Sequence, residues 1–252
     1  MSPRWFVPLA ARPAAVTRLF MFPAAGGGPG SFADLAARLP AEIEPWSVNL
    51  PGRQARLHEP PWTDLTAVVD TLADRLAPLS RDPFALFGYC GGALMAYLVA
   101  RRLHVAGRRP VRLLVGSAAA PDLAMVPRRL HLLASDRFWA QILDQGGVHP
   151  ELAGQPELRP VFEPALRADF ALLAGYRHAR CGPLPFGISV LYGSSDRSLH
   201  RGALLGWRRQ TDRPLALEGV TATHWLVEDA ADRLSRVIGA HLTSNPRAVS
   251  AP

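Results

Sequence analysis

The sequence predicts an α/β fold in which a mostly parallel sheet is flanked by helices and interrupted by an inserted helical lid. Three observations predict it. Short, mainly apolar runs alternate with segments of helical spacing, as a parallel sheet covered on both faces requires. Strand signals then vanish between Asp122 and Tyr176, and they return afterwards.

The elements follow in order. Val16–Phe22 (VTRLFMF) is a short apolar run ended by the turn-forming PAAGGGPG, so it reads as a buried strand entering a flexible loop. Ser31 stands where it would cap the helical stretch that follows. Glu44–Leu50 reads as a strand closed by Pro51-Gly52-Arg53. Leu65, Val68, Val69, Leu72 and Leu76 recur at helical spacing. Phe84–Phe87 supplies the next strand, Ala93–Leu103 a buried helix and Val111–Val115 another apolar strand. Helical stretches around Asp136–Leu143 and Pro164–Leu173 lie in the block without strand signals. Ile188–Leu191 and Leu215–Leu217 read as late strands, and Ala230–Leu242 as a closing helix. The expected organisation is one domain over 1–243 with the lid at about 122–180, followed by a flexible tail at 244–252.

Composition narrows the function classes. The chain has 252 residues, enough for one catalytic domain with a full core. It is 48% hydrophobic and 19% charged, with no apolar run of the roughly 20 residues needed to cross a bilayer. The early apolar stretch is broken by prolines and Arg12 before a signal-peptide core develops. A cytoplasmic protein without membrane association is therefore expected. The net charge of +7 comes from 28 basic residues, all arginine and scattered, which argues against nucleic acid as a partner. There is no dinucleotide fingerprint, Walker loop or metal-ligand cluster, so neither metal nor cofactor is expected. Two cysteines, Cys90 and Cys181, are too few for a disulfide framework. Cys181 sits in a loop without context and reads as structural or incidental.

Gly88-Tyr89-Cys90-Gly91-Gly92 is the strongest local signal. It is the G-x-nucleophile-x-G pattern between an apolar strand and a helix, the context that a nucleophile elbow requires. The turn forces a strained backbone, so Gly88 and Gly92 must be small. The start of a helix also favours negative charge through its dipole and free N–H groups, which places Cys90 to react as a thiolate.

The elbow points to the α/β-hydrolase fold, whose triads run nucleophile, acid, histidine along the chain. Asp196, in the turn Tyr192-Gly-Ser-Ser-Asp, and His224, just before the closing helix, fit that order. Asp122, after the strand Val111–Val115, competes with Asp196 for the acid's place. The remaining seven histidines stand at the wrong place in the order. In such a triad His224 handles the Cys90 proton and later activates the incoming nucleophile, while Asp196 fixes the imidazole tautomer. The oxyanion hole is expected from the N–H groups of Gly91 and Ala25, with Gly26–Gly28 allowing close backbone approach.

These residues resemble a known family, the stand-alone type II thioesterases associated with nonribosomal peptide and polyketide synthetases. The matching pieces are Phe22-Pro-Ala-Ala-Gly-Gly, Leu50-Pro-Gly-Arg53, Phe87-Gly-Tyr-Cys-Gly-Gly-Ala93, Ala119-Ala-Pro121, Leu166-Arg-Ala-Asp-Phe170, Tyr192-Gly-Ser-Ser-Asp196 and His224-Trp. The resemblance covers nearly the whole chain. It implies an α/β-hydrolase core with a mobile helical lid, a monomer that meets its partner transiently, and a substrate carried on the phosphopantetheine arm of an acyl or peptidyl carrier protein. The activity it implies is hydrolytic editing in natural-product biosynthesis. Two departures stand out: Gly-Tyr-Cys-Gly-Gly replaces the family's usual Gly-His-Ser-Met-Gly, and His224 follows threonine rather than glycine.

Cysteine alters the chemistry. A serine would turn the thioester into a more stable oxyester, whereas Cys90 exchanges one thioester for another and keeps the acyl group activated. The expected function is thus hydrolysis of acyl or aminoacyl thioesters through a Cys-His-Asp triad and an acyl-cysteine intermediate. The alternative is an acyltransferase passing the group to another carrier, an amine or an internal nucleophile.

Overall fold

The computed structural model describes residues 5–80, 83–124 and 127–243. The expected tail at 244–252 lies outside the described residues. Strands β1 (Phe6–Pro8), β2 (Thr17–Phe22), β3 (Ile43–Val48), β4 (Phe84–Tyr89), β5 (Arg112–Gly116), β6 (Gly187–Gly193) and β7 (Ala216–Val220) form one sheet in the order β1-β3-β2-β4-β5-β6-β7. All neighbours are parallel except β1, which pairs antiparallel with β3. At three residues β1 is too short to carry a periodic pattern, and its Pro8 is tolerated because it lies at the sheet's edge.

Burial on both faces explains the continuous apolar runs. On β2, Leu19 and Met21 pack on one face with Leu35 and Ile238, while Phe20 and Phe22 pack on the other with Leu72 and Val99. The first face is covered by α1 (Ala33–Arg38) and by α9 (Ala231–Thr243), the second by α2 (Leu65–Leu76) and α3 (Gly91–Val105). Helix α2 starts where Asp64 accepts a hydrogen bond from the Ala67 N–H at 3.0 Å.

Between β5 and β6 lie α4 (Ser135–Asp144), α5 (Pro150–Ala153) and α6 (Arg159–Gly175). They share a small core of Leu130, Phe138, Trp139, Ile142, Val148 and Leu166, while Leu172 of α6 reaches the main core. Helices α7 (Arg201–Leu205) and α8 (Leu226–Asp229) complete the set.

Two local expectations are corrected and one element is added. Ser31 does not cap α1; it sits in a 3-10 turn, Pro29–Phe32, where its Oγ accepts from the Gly28 N–H at 3.4 Å. Helix α6 begins at Arg159 with Pro160 in its first turn, so Pro164 is inside the helix rather than at its start. The closing helix is preceded by the separate short α8, which carries Glu228 toward the site.

Candidate active site

Cys90 stands between the end of β4 and the start of α3 with φ 51° and ψ −121°. A positive φ in a residue with a Cβ is a strained conformation, costing on the order of 1–3 kcal/mol. The flanking glycines make the turn possible. A Cβ on Gly88 would lie 2.5 Å from Ala93 Cα, and one on Gly92 would lie 2.3 Å from the carbonyl oxygens of Phe22 and Pro23. The Cys90 N–H donates to the Gly116 carbonyl at 2.9 Å, pinning the elbow to β5.

His224 and Asp196 meet beside it. His224 Nδ1 lies 2.9 Å from Asp196 Oδ2, and the Asp196 side chain is only 2% exposed. Ser198 donates to Asp196 Oδ1 from its N–H at 2.8 Å and from its hydroxyl at 2.6 Å. With Nδ1 so engaged, Nε2 is the ring nitrogen left to hydrogen-bond Cys90. Burial opposes a charged His224, but hydrogen bonds and charge from Asp196 and Cys90 outweigh it and raise the imidazole pKa to about 10. Burial likewise opposes a charged Asp196, yet hydrogen bonds from His224 and Ser198 hold its carboxyl below the usual range.

The structure brings Cys90, His224 and Asp196 together and leaves Asp122 elsewhere. Asp122 accepts from Arg209 at 2.5 and 2.8 Å and from Gln210 Nε2 at 3.3 Å.

The two segments expected to supply the oxyanion donors come close together. A Cβ built on Gly91 would lie 3.7 Å from the Ala25 backbone nitrogen. Ala25 belongs to a tight loop after β2, in which Gly27 N–H donates to Ala24 O at 2.9 Å and Gly26 has φ 75°. The loop is held from above by α6: Asp169 Oδ2 accepts from the Gly26 N–H at 2.7 Å.

The thioesterase domain model matches residues 17–242. The chain belongs to the thioesterase family. It is 31% identical to the gramicidin S biosynthesis protein GrsT of Aneurinibacillus migulanus over 90% of this chain and 89% of that protein. It is 36% identical over 88% of its length to the AMB antimetabolite synthetase AmbE of Pseudomonas aeruginosa, of which it spans only 10%. The solved type II thioesterase BorB from the borrelidin biosynthetic cluster superposes with a TM-score of 0.86 at 29% identity, covering 96% of this chain and 98% of that one. The architecture is that of the α/β-hydrolase fold.

In this thioesterase a cavity of about 370 Å³ opens on Cys90, Gly91, Ala25 and His224. Its walls come from the segment after β5 (Ser117, Ala118, Ala119, Pro121), from α6 (Phe170, Leu173) and from the segment around α7 (Leu199, His200, Trp207). The volume is in the range of pockets for small molecules. Among the described residues there is no group of three or more His, Cys, Asp or Glu placed to hold a metal, and no helix long and apolar enough to cross a membrane.

Several contacts here were not read from the sequence. Tyr89, which stands where the family's pattern has histidine, donates to Glu228 at 2.9 Å, lies 3.3 Å from the His224 carbonyl and packs edge-on against Trp225. Ser198 had a signal, since it lies two residues after Asp196 and a serine there can fold back on the carboxylate. Arg53 and Asp169 both sit in motifs that carried the family resemblance, but their pairing across 116 residues has no local signature.

Proposed function

We propose that this thioesterase hydrolyses acyl or aminoacyl groups from the phosphopantetheine arms of carrier proteins in natural-product biosynthesis, using Cys90, His224 and Asp196 as its triad. The observation that carries the reading is the chain of contacts from Asp196 through His224 to Cys90 at the mouth of one cavity. Relatives whose names place them in gramicidin S and borrelidin biosynthesis support the setting.

In the proposed reaction Cys90 sulfur attacks the thioester carbonyl, and the carbonyl oxygen takes up negative charge between the N–H groups of Gly91 and Ala25. The tetrahedral species collapses by breaking the bond to pantetheine sulfur, which leaves as a thiol with the proton held by His224. The product is an acyl-cysteine. Acylation removes both Cys90 contributions that raise the His224 pKa, so burial then acts against Asp196 alone and the pKa falls. His224 thereby becomes a base for water, which attacks the acyl-cysteine, releases the free acid and restores the Cys90 thiol. The helices α4 to α6 act as a lid over this chemistry. The enzyme works as a monomer, and without a cofactor of its own.

Because the acyl-cysteine stays activated, an amine or a second carrier thiol competes with water in principle. Intact-mass spectrometry of the enzyme mixed with an acyl-loaded carrier protein, with and without such an acceptor, separates the outcomes. Acyl mass on wild-type enzyme followed by free acid is expected. Preferential passage to the acceptor would make it an acyltransferase, and Cys90→Ser would then lose transfer and hydrolyse or trap an oxyester. Undiminished turnover by Cys90→Ala would remove Cys90 from the reaction altogether.

A further inference from the structure

Ser117 and the nucleophile follow the ends of neighbouring strands and line the same cavity. The parallel pairing of β4 with β5 sets Tyr89 opposite Gly116, so Cys90 and Ser117 are the residues that follow the two strands, and the Cys90 N–H donates to the Gly116 carbonyl. Ser117 has φ 45°, a conformation that side chains rarely adopt, and it is held by its N–H donating to Leu191 O at 2.9 Å. Its residue surface is 2% exposed and it lines the Cys90 cavity. Among the described residues its hydroxyl has no hydrogen-bond partner.

A buried hydroxyl without a partner costs about 1–3 kcal/mol, and a hydroxyl in a strained residue lining the nucleophile's cavity is best accounted for by a partner on the substrate. The rest of the cavity limits what that partner is. Its described lining contains Ala, Gly, Leu, Pro, Phe and Trp with a few neutral polar groups, and neither an acidic residue nor an arginine. An α-ammonium group there would give up its hydration for no carboxylate. His224, which lines the same cavity, has its charge already engaged by Asp196, so it offers an ammonium group no counter-charge either.

We infer that the cavity takes uncharged acyl groups carrying an oxygen on one of the first two carbons beyond the thioester carbonyl, and that Ser117 hydrogen-bonds that oxygen. This rests on the thioesterase reading above and narrows it from acyl and aminoacyl groups to the first class. Ser117 is a specificity residue in this account, since it reaches the acyl chain and leaves the reacting carbon to Cys90 and the oxyanion donors.

The test is a matched set of pantetheine thioesters, butanoyl, 2-hydroxybutanoyl, 3-hydroxybutanoyl and 2-aminobutanoyl, assayed for acid release by wild type, Ser117→Ala and Ser117→Gly. Glycine removes the hydroxyl while suiting the positive φ, so it guards against a misfolded alanine variant. Wild type should favour at least one hydroxybutanoyl thioester over butanoyl by roughly threefold to tenfold in kcat/KM, the range of one net hydrogen bond. It should turn over 2-aminobutanoyl most slowly. In both variants the ratio of hydroxybutanoyl to butanoyl should fall to near one. The inference is overturned if 2-aminobutanoyl matches butanoyl, if wild type shows no hydroxyl preference, or if the ratio survives in both variants because all substrates slow alike. Acid release from none of the four would instead defeat the thioesterase reading itself.

Discussion

Arg53 and Asp169 form a two-pronged ion pair, Nη1 to Oδ2 at 2.5 Å and Nη2 to Oδ1 at 2.8 Å, with both side chains almost fully buried. The same Asp169 oxygen takes the Gly26 N–H, and Arg53 Nη1 also donates to Gly27 O at 3.2 Å. One carboxylate on α6 therefore holds the loop that contains Ala25, whose N–H is the proposed oxyanion donor. Asp169→Ala should strand a buried guanidinium and cost about 3–5 kcal/mol, read from the denaturant midpoint. The double variant Arg53→Met/Asp169→Leu should recover much of that stability while kcat stays low, because the Gly26 N–H still lacks its acceptor. Full recovery of kcat in the double variant would show that the pair serves stability alone.

Gly92 is where the elbow tolerates least. Its Cβ position falls 2.3 Å from the carbonyl oxygens of Phe22, the last residue of β2, and of Pro23, the first of the loop after it, and neither is a flexible side chain that can swing aside. Gly92→Ala should push that loop from its place, destabilising the fold by about 1–3 kcal/mol or more and lowering kcat with it. Gly107→Ala, whose Cβ would meet nothing within 4 Å, is the control: despite the positive φ of 77° it touches no part of the site. It should cost stability while sparing turnover.

The pH behaviour follows from His224. Its folded pKa of about 10 lies above the ordinary 6.5, so its contribution to stability is full below pH 6.5 and is lost as pH rises through about 10. Alkylating Cys90 removes the sulfur's hydrogen bond and charge. Ring titration by NMR should therefore show His224 moving downward after treatment with iodoacetamide. An unchanged titration would mean that Cys90 does not contribute to it and that the base for deacylation is not generated as proposed.

Much of this was legible because the signals are local or ordered along the chain. The elbow needs glycines two residues either side of Cys90, and the sequence has them. The two-sided burial of β2 and β4 calls for residues that are apolar on both faces, and Leu19–Phe22 and Phe84–Phe87 supply them. The acid was not decided by sequence, because Asp122 and Asp196 both follow strands; the pairing of His224 with Asp196, and of Asp122 with Arg209, is a property of packing. Ser117, Tyr89 with Glu228, and Arg53 with Asp169 escaped for the same reason. Each is an ordinary polar residue until a distant segment is brought against it.

Tyr89 is the clearest case of such hidden support. Its hydroxyl ties the elbow to Glu228 on α8, and burial pushes its pKa well above the ordinary tyrosine value, reinforced by the Glu228 and Cys90 charges, so it remains a donor. Tyr89→Phe should cost about 1 kcal/mol of stability and lower kcat several-fold with little change in KM, by loosening the backbone that carries His224. A rise in KM with kcat intact would place the hydroxyl's influence on substrate binding instead.

The identity of the acid can be separated by two amide substitutions of equal size. Asp196→Asn keeps the shape of the pair but offers His224 an amide in place of a charge, so the wrong tautomer and an unsupported imidazolium are both favoured; in a triad of this type such a change lowers kcat by roughly 10²–10⁴-fold. Asp122→Asn weakens only the partly exposed pair with Arg209, for which at most about 1 kcal/mol is expected and no loss of kcat beyond a few-fold. The two variants should also differ in the titration of His224, which falls in Asp196→Asn because one of its two supporting partners has lost its charge, and stays in place in Asp122→Asn. Equal loss of activity in both would mean that Asp122 reaches the imidazole during turnover, and the assignment of the acid would then pass from the contact in the resting enzyme to one formed only with substrate bound.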